Sequence, residues 1–210
     1  MPVARELERR GHAVVVPSLL GTAGAPPRHW RDCVAAVRGA VGSVSSPVVL
    51  AGHSGGGLLL PAIAGALAAP VSQLMFVDAD VPARRGETPL APQAFLEDLR
   101  ARAVSGTLPP WSSWWGEDTM RELVPDETLR AALTREMPSL PLSYFEQGVP
   151  SPVGWERIPC GYLLLSDAYR DAAAEAQARG WRVEEIAGAQ HLHIAVAAEA
   201  VADALVRLAA

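Results

Sequence analysis

Gly52-His53-Ser54-Gly55-Gly56 sets a serine among glycines in the pattern G-x-S-x-G. A serine hydroxyl is a weak nucleophile until a base takes its proton. The pattern is therefore informative only if it holds Ser54 exposed and within reach of a base. The apolar run at 47–51 has the character of a buried strand, and residues 58–69, rich in Leu and Ala, read as a helix. A strand, a sharp turn with the serine at its apex, and a helix make the elbow on which such a nucleophile is presented. Side chains around so tight a turn collide with the neighbouring strand and helix. Gly52 and Gly56 are expected to relieve those collisions, and Gly55 to leave space above the serine. Ser54 then stands at a helix N-terminus, where free N–H groups favour developing negative charge.

A base is available from the other end of the chain. Gly188-Ala189-Gln190-His191 follows the last predicted strand and precedes the last helix. A histidine in that loop falls over the carboxyl ends of the strands, where the elbow also points. Other histidines have plainer readings: His12 in a turn, His29 at a helix start, His53 as a spacer packed under the elbow.

Positioning these groups takes a parallel sheet. Residues 2–10 read as an amphipathic helix closed by Gly11, and Val14-Val15-Val16 as a parallel strand. A Gly/Pro/Thr-rich loop at 18–27 leads to a helix at 28–41, with Trp30, Val34, Val37 and Val41 at helical spacing. Pro61 requires the elbow helix to begin near 55–57 or to bend. Strands follow at 73–78, 160–166 and 181–187, with helices at 167–179 and 193–208. The alternation implies an α/β fold, a mostly parallel sheet flanked by helices on both faces. Residues 81–158 break it with prolines, tryptophans and short helical pieces at 91–103 and 126–136. They read as a cap or lid inserted over the site of one domain spanning 1–210.

Composition narrows the function. The chain has 210 residues, half of them hydrophobic and a fifth charged, which suits one soluble globular domain. All 18 basic residues are arginine, scattered through a chain of net charge -5, so nucleic acid is not an expected partner. Cys33 and Cys160 lie far apart without a C-x-x-C pair, which fits reduced thiols in a cytoplasmic protein. Residues 1–10 lack an apolar signal core, and the longest apolar stretch, 58–71, is short and broken by Pro61 and Pro70, so no membrane is expected. No spacing suggests a metal, and no cofactor is implied. The expected partner is a small-molecule substrate.

The elbow with its flanking strand (48–57), Phe76-Val77-Asp78-Ala79, and His191 followed by Glu199-Ala200-Val201 together resemble the α/β-hydrolase superfamily, in its small-esterase and hydroxynitrile-lyase-like branch. The resemblance covers nearly the whole chain. It implies Ser54 as nucleophile, His191 as general base and the Gly55 N–H as one oxyanion donor. His193 competes with His191, but the spacing to Glu199 and the position directly after the turn favour His191. The position two beyond is a packed or pocket-lining one.

The resemblance also asks for a buried carboxylate that accepts the histidine's second N–H and fixes its tautomer. Two aspartates qualify first, and Asp80 is a third option. Asp167 follows the strand at 160–166, where most of the family carries its acid, although it serves equally as the N-cap of the next helix. Asp78 ends the preceding strand, where some lipases of the superfamily keep theirs.

The family's sheet normally includes a central strand ahead of the helix at 2–10, whose loop supplies a second oxyanion donor. This sequence starts after it: either an upstream segment carries that strand, or the chain is read as lacking the first strands. Two strands then close the gap, or a partner chain, as in a homodimer, fills it. The loop at 18–24 is a candidate for the substitute donor. In the lid, Trp111, Trp114 and Trp115 form an aromatic cluster, read either as the lid's own core or as an apolar wall for a hydrophobic acyl group. The expected function is cleavage of a small ester or thioester by Ser54, His191 and an aspartate. The alternatives are a lyase or cyclase that uses the same serine and histidine for proton transfer, and a degenerate, non-catalytic member.

Overall fold

A computed structural model describes residues 2–20 and 29–209. Helix α1 (Pro2–Arg9) gives way to Gly11, whose φ of +87° suits a residue without a side chain. The expected strand at Val14–Val16 does not form, and Val15 and Val16 are exposed. A strand needs a neighbour to take up its N–H and C=O groups, and among the described residues no strand pairs with this run. The loop at 18–27 falls largely on residues outside the described ones, as does most of the substitute donor loop at 18–24. Helix α2 (His29–Val41) buries Cys33, Val34 and Val37.

Strand β1 (Val48–His53) runs into a 3-10 turn, Ser54–Leu59, and then α3 (Leu60–Ala66). Pro61 sits in the first turn of α3, where its missing N–H has no acceptor to lose. Strand β2 (Val71–Val77) comes next. The segment 81–158 then contributes β3 (Gly86–Pro89), α4 (Gln93–Arg102), β4 (Thr107–Leu108), α5 (Glu117–Leu123), α6 (Glu127–Glu136), β5 (Leu140–Pro141), α7 (Leu142–Phe145) and β6 (Gly148–Ser151). Asp126 caps α6, accepting a hydrogen bond from Leu129 N at 2.6 Å. Strand β3 pairs antiparallel with β6, and β4 with β5, so the segment returns to where it left. The chain re-enters the sheet as β7 (Cys160–Leu164). A 3-10 turn, Asp167–Tyr169, leads into α8 (Arg170–Ala178), then β8 (Arg182–Glu185), α9 (His193–Val196) and α10 (Ala198–Ala209).

The four main strands are all parallel, in the order β1-β2-β7-β8. Side chains alternate between two cores. Leu50, Leu74, Phe76 and Tyr162 pack with residues of α2, α3 and α8 on one face. Met75, Val77 and Leu163 pack with α10 and with Val3 and Leu7 of α1 on the other. Leu74, Phe76, Tyr162 and Leu163 are wholly buried, and each such burial stabilises the fold by about 1.5–3 kcal/mol. Arg10 ties α1 to α10 through Asp203 at 2.7 Å. Among the described residues β1 has a ladder on one side only, and Val49 and Ala51 are exposed. Register places the site: His53 pairs with Val77, and Val77 with Leu163, so the chain leaves β1, β2 and β7 at one level.

Candidate active site

Ser54 is the first residue beyond β1, with φ of 53°. A side-chain-bearing residue is uncommon there, so the turn stores strain that its surroundings must hold. The crowding falls at the base of the turn. A Cβ on Gly52 would lie 2.7 Å from the Gly56 carbonyl oxygen, and one on Gly57 would lie 2.5 Å from Ala79 Cβ. A Cβ on Gly55 or Gly56 would meet nothing within 4 Å. The space above the serine at Gly55 is as expected, but the second required glycine is Gly57, not Gly56. The 3-10 backbone folds over Gly52 and presses its third glycine against the β2 exit.

Asp78, the first residue beyond β2, is fully buried and also has positive φ, 45°. Its Oδ1 accepts from the Leu165 and Ser166 N–H groups at 2.9 and 2.8 Å. Its Oδ2 accepts from Ser166 Oγ at 2.6 Å and from His191 Nδ1 at 2.7 Å. Burial by itself would push this carboxyl up, but the hydrogen bonds from His191, Ser166 and Leu165 outweigh it and hold it below the usual carboxylate range. The buried Tyr162 hydroxyl fixes the next residue, donating to Ala79 O at 2.8 Å and accepting from Ala79 N at 3.2 Å.

His191 lies in the loop after β8. Gly188 turns that loop with φ of +73°, and His193 Nδ1 accepts from Gln190 N at 2.9 Å, so His193 closes the turn rather than entering the site. His53 Nε2 donates to the His191 carbonyl at 3.0 Å, with the two rings 4.4 Å apart. Burial, and then the neighbouring His191, lower the His53 pKa to about 3, so its ring is neutral and free to donate. His53 is thus more than an elbow spacer: it ties the elbow to the histidine loop. Only its place beside the nucleophile signals this in the sequence.

Tyr169 completes the cluster. Its ring stacks on His191, centroids 5.3 Å apart and 13° from parallel, and its hydroxyl lies 3.3 Å from Ser54 Oγ. Among the described residues this tyrosine, not His191, is the hydrogen-bond partner of the Ser54 hydroxyl. The residue type alone does not mark Tyr169 in the sequence. Its place in the loop leaving β7, at the carboxyl end of the sheet, is the available signal.

The two candidate acids separate cleanly. Asp78 reaches His191, whereas the Asp167 carboxylate is exposed and paired with Arg170 at 2.6 Å. Asp167 opens the turn that carries Tyr169, and its side chain points away from the histidine. The tryptophans separate too. Trp111 packs near His191, ring centroids 6.0 Å apart, and against the cluster of Met120, Val124 and Leu192. Trp114 is buried among Leu96, Leu99 and Leu108, its indole N–H donating to Pro109 O at 2.8 Å. Trp115 lies outside on Phe95 and Arg102, 43% exposed. Neither lines the site. Trp114 serves the core of the 81–158 segment, and Trp115 covers its surface.

His53, Asp78 and His191 bring three metal-ligating atoms within 4.8 Å of one another. Within this group Asp78 already holds His191 Nδ1, and His53 Nε2 is bonded to the His191 carbonyl. Among the described residues, no helix is long and apolar enough to cross a membrane.

A family model described as the alpha/beta hydrolase family matches residues 1–204. No curated protein sequence matches the chain. Among solved structures, an extracellular alpha/beta-hydrolase from a Paenibacillus species, described as sharing structural and functional homology with tobacco salicylic acid binding protein 2, is similar with a TM-score of 0.74 and 17% identity, over 99% of this chain and 91% of that one. Polyneuridine aldehyde esterase gives a TM-score of 0.68 and 17% identity, over 100% and 92%. A variant of tomato methylketone synthase I complexed with beta-ketoheptanoate gives 0.69 and 12% identity, over 99% and 90%.

Proposed function

Since this chain belongs to the alpha/beta hydrolase family, we propose that it is a serine hydrolase of small carboxylic esters or thioesters, with Ser54, His191 and Asp78 as its triad. The observation that carries this reading is the 2.7 Å hydrogen bond between buried Asp78 and His191 Nδ1, beside a serine on a strained, glycine-lined elbow. The Asp78 carboxylate takes the Nδ1 hydrogen bond and leaves Nε2 as the basic nitrogen. Ser54 Oγ turns from Tyr169 to His191, gives up its proton and attacks the carbonyl carbon. The Gly55 N–H, in the first turn of the elbow, donates to the oxyanion. His191 returns the proton to the leaving group, and water then hydrolyses the acyl-enzyme by the same route. The segment 81–158 acts as the lid, with Trp111 as its apolar wall over the acyl group. No cofactor takes part.

A serine-reactive fluorophosphonate tests the proposal. It should label wild type and spare Ser54→Ala, and p-nitrophenyl esters of short acids should turn over in wild type alone. An unlabelled Ser54 with no ester turnover would reject it. A lyase that moves protons with the same residues is a second reading, favoured by the Ser54 hydroxyl resting on Tyr169 rather than on His191. Activity on a β-keto acid that survives Ser54→Ala but is lost in His191→Ala would select it.

A further inference from the structure

The Ser54 hydroxyl has a partner that the triad does not use. Tyr169 sits where the chain leaves β7, its backbone N–H bonded to Ser166 O at 3.1 Å. The next residue, Arg170, is bound by Asp167 on one side and Glu185 on the other. The turn therefore holds the tyrosine ring flat on His191 and its hydroxyl on Ser54 Oγ. We propose that Tyr169 is a catalytic residue of this site, its hydroxyl donating to the oxyanion that forms when Ser54 attacks a carbonyl carbon. The inference rests on the serine-hydrolase reading.

The position dictates the chemistry. As the Oγ–C bond forms, the carbonyl π pair moves onto the carbonyl oxygen and the Ser54 proton passes to His191. The new oxyanion is bonded to the same carbon as Oγ, so a hydroxyl 3.3 Å from Oγ lies within reach of it. Tyr169 keeps its own proton throughout. Burial raises its pKa, which outweighs the hydrogen bond with Ser54, so the phenol remains a donor. When the tetrahedral centre collapses, the oxyanion pair re-forms the carbonyl, the bond to the leaving oxygen breaks, and that oxygen takes the proton from His191. The Gly55 N–H and the Tyr169 hydroxyl are thus two donors of different kinds, one from the backbone and one from a side chain.

Tyr169→Phe keeps the ring on His191 and removes only the hydroxyl. Phosphonate labelling of wild type and Ser54→Ala comes first, since failure to label Ser54 rejects the hydrolase reading whatever Tyr169 does. With Ser54 labelled, the variant is expected to lose about 10²-fold in kcat on p-nitrophenyl esters with KM little changed. Its inhibition constant for an aryl trifluoromethyl ketone, whose adduct with Ser54 carries the same oxyanion, should rise by a similar factor. Wild-type kcat in Tyr169→Phe would overturn the proposal. So would a fall in kcat with unchanged ketone affinity, because the hydroxyl would then only hold the serine.

Discussion

Ser54 and Asp78 occupy equivalent positions on neighbouring strands: each comes directly after one of the paired residues His53 and Val77, and each has positive φ, 53° and 45°. Both strands end in a left-handed residue that turns its side chain over the edge of the sheet. On β1 that residue is the proposed nucleophile, its hydroxyl on Tyr169, and on β2 it is a buried acceptor. The residues next in the chain make the difference, three glycines after Ser54 and the Tyr162-anchored Ala79 after Asp78.

The crowded base of the elbow predicts a sharp contrast between two glycines. Gly52→Ala sets a methyl 2.7 Å from backbone and should destabilise the protein by about 2 kcal/mol or more and abolish phosphonate labelling. Gly56→Ala meets open space and should stay within about 0.5 kcal/mol of wild type. Urea denaturation of the two variants checks this.

The acid is tested by a pair of aspartates. Asp78→Asn should lower kcat by about 10³–10⁴-fold, the size of effect expected when the histidine loses its enforced tautomer. Asp167→Asn, which disturbs only an exposed pair with Arg170 at 2.6 Å, should keep kcat within about threefold of wild type. Steady-state kinetics on one ester suffices, and equal losses in both variants would contradict the assignment.

His53 predicts how stability depends on pH. Its pKa falls from 6.5 to about 3 on folding, so the unfolded chain binds a proton that the folded chain refuses. The stabilisation is complete above about pH 6.5 and is lost as the pH falls toward 3. Because the ring is only half-buried, the loss between pH 7 and 5 should be about 1–2 kcal/mol. His53→Gln keeps a donor for the His191 carbonyl but does not titrate, and its urea midpoint should be flatter over that range.

The tryptophans predict a split in specificity. Trp111→Ala should reduce kcat/KM for esters of apolar acids about tenfold relative to acetate, since it removes the aromatic surface beside His191. Trp115→Ala, on the far side of Phe95, should leave that ratio unchanged. A series of acyl chain lengths measures both.

The strand–elbow–helix run and the loop of His191 could be read from the sequence, because each rests on local pattern: apolar run, glycines, and position after the last strand. The distinction between Asp78 and Asp167 is not local. It is set by the register that aligns Val77 with Leu163 and brings the Ser166 and Leu165 N–H groups onto the Asp78 carboxylate. Residue spacing carries no record of that alignment. Nor does it distinguish Trp111, which bridges two clusters and reaches His191, from Trp114, which is buried in one of them. Val14–Val16 have strong strand propensity, yet propensity cannot supply the neighbour that a ladder requires.

Strand β1, which delivers Ser54, is laddered only to β2 among the described residues. The proposed nucleophile thus follows a strand with one ladder among the described residues, while Asp78 follows the inner strand β2 and His191 the loop after β8, the other outer strand. A rim strand frays at lower cost than the global fold. Warming should thus dissociate the nucleophile from its partners before the helices melt. Loss of function and loss of structure become two events, with inactivation reversible on cooling across the interval between them.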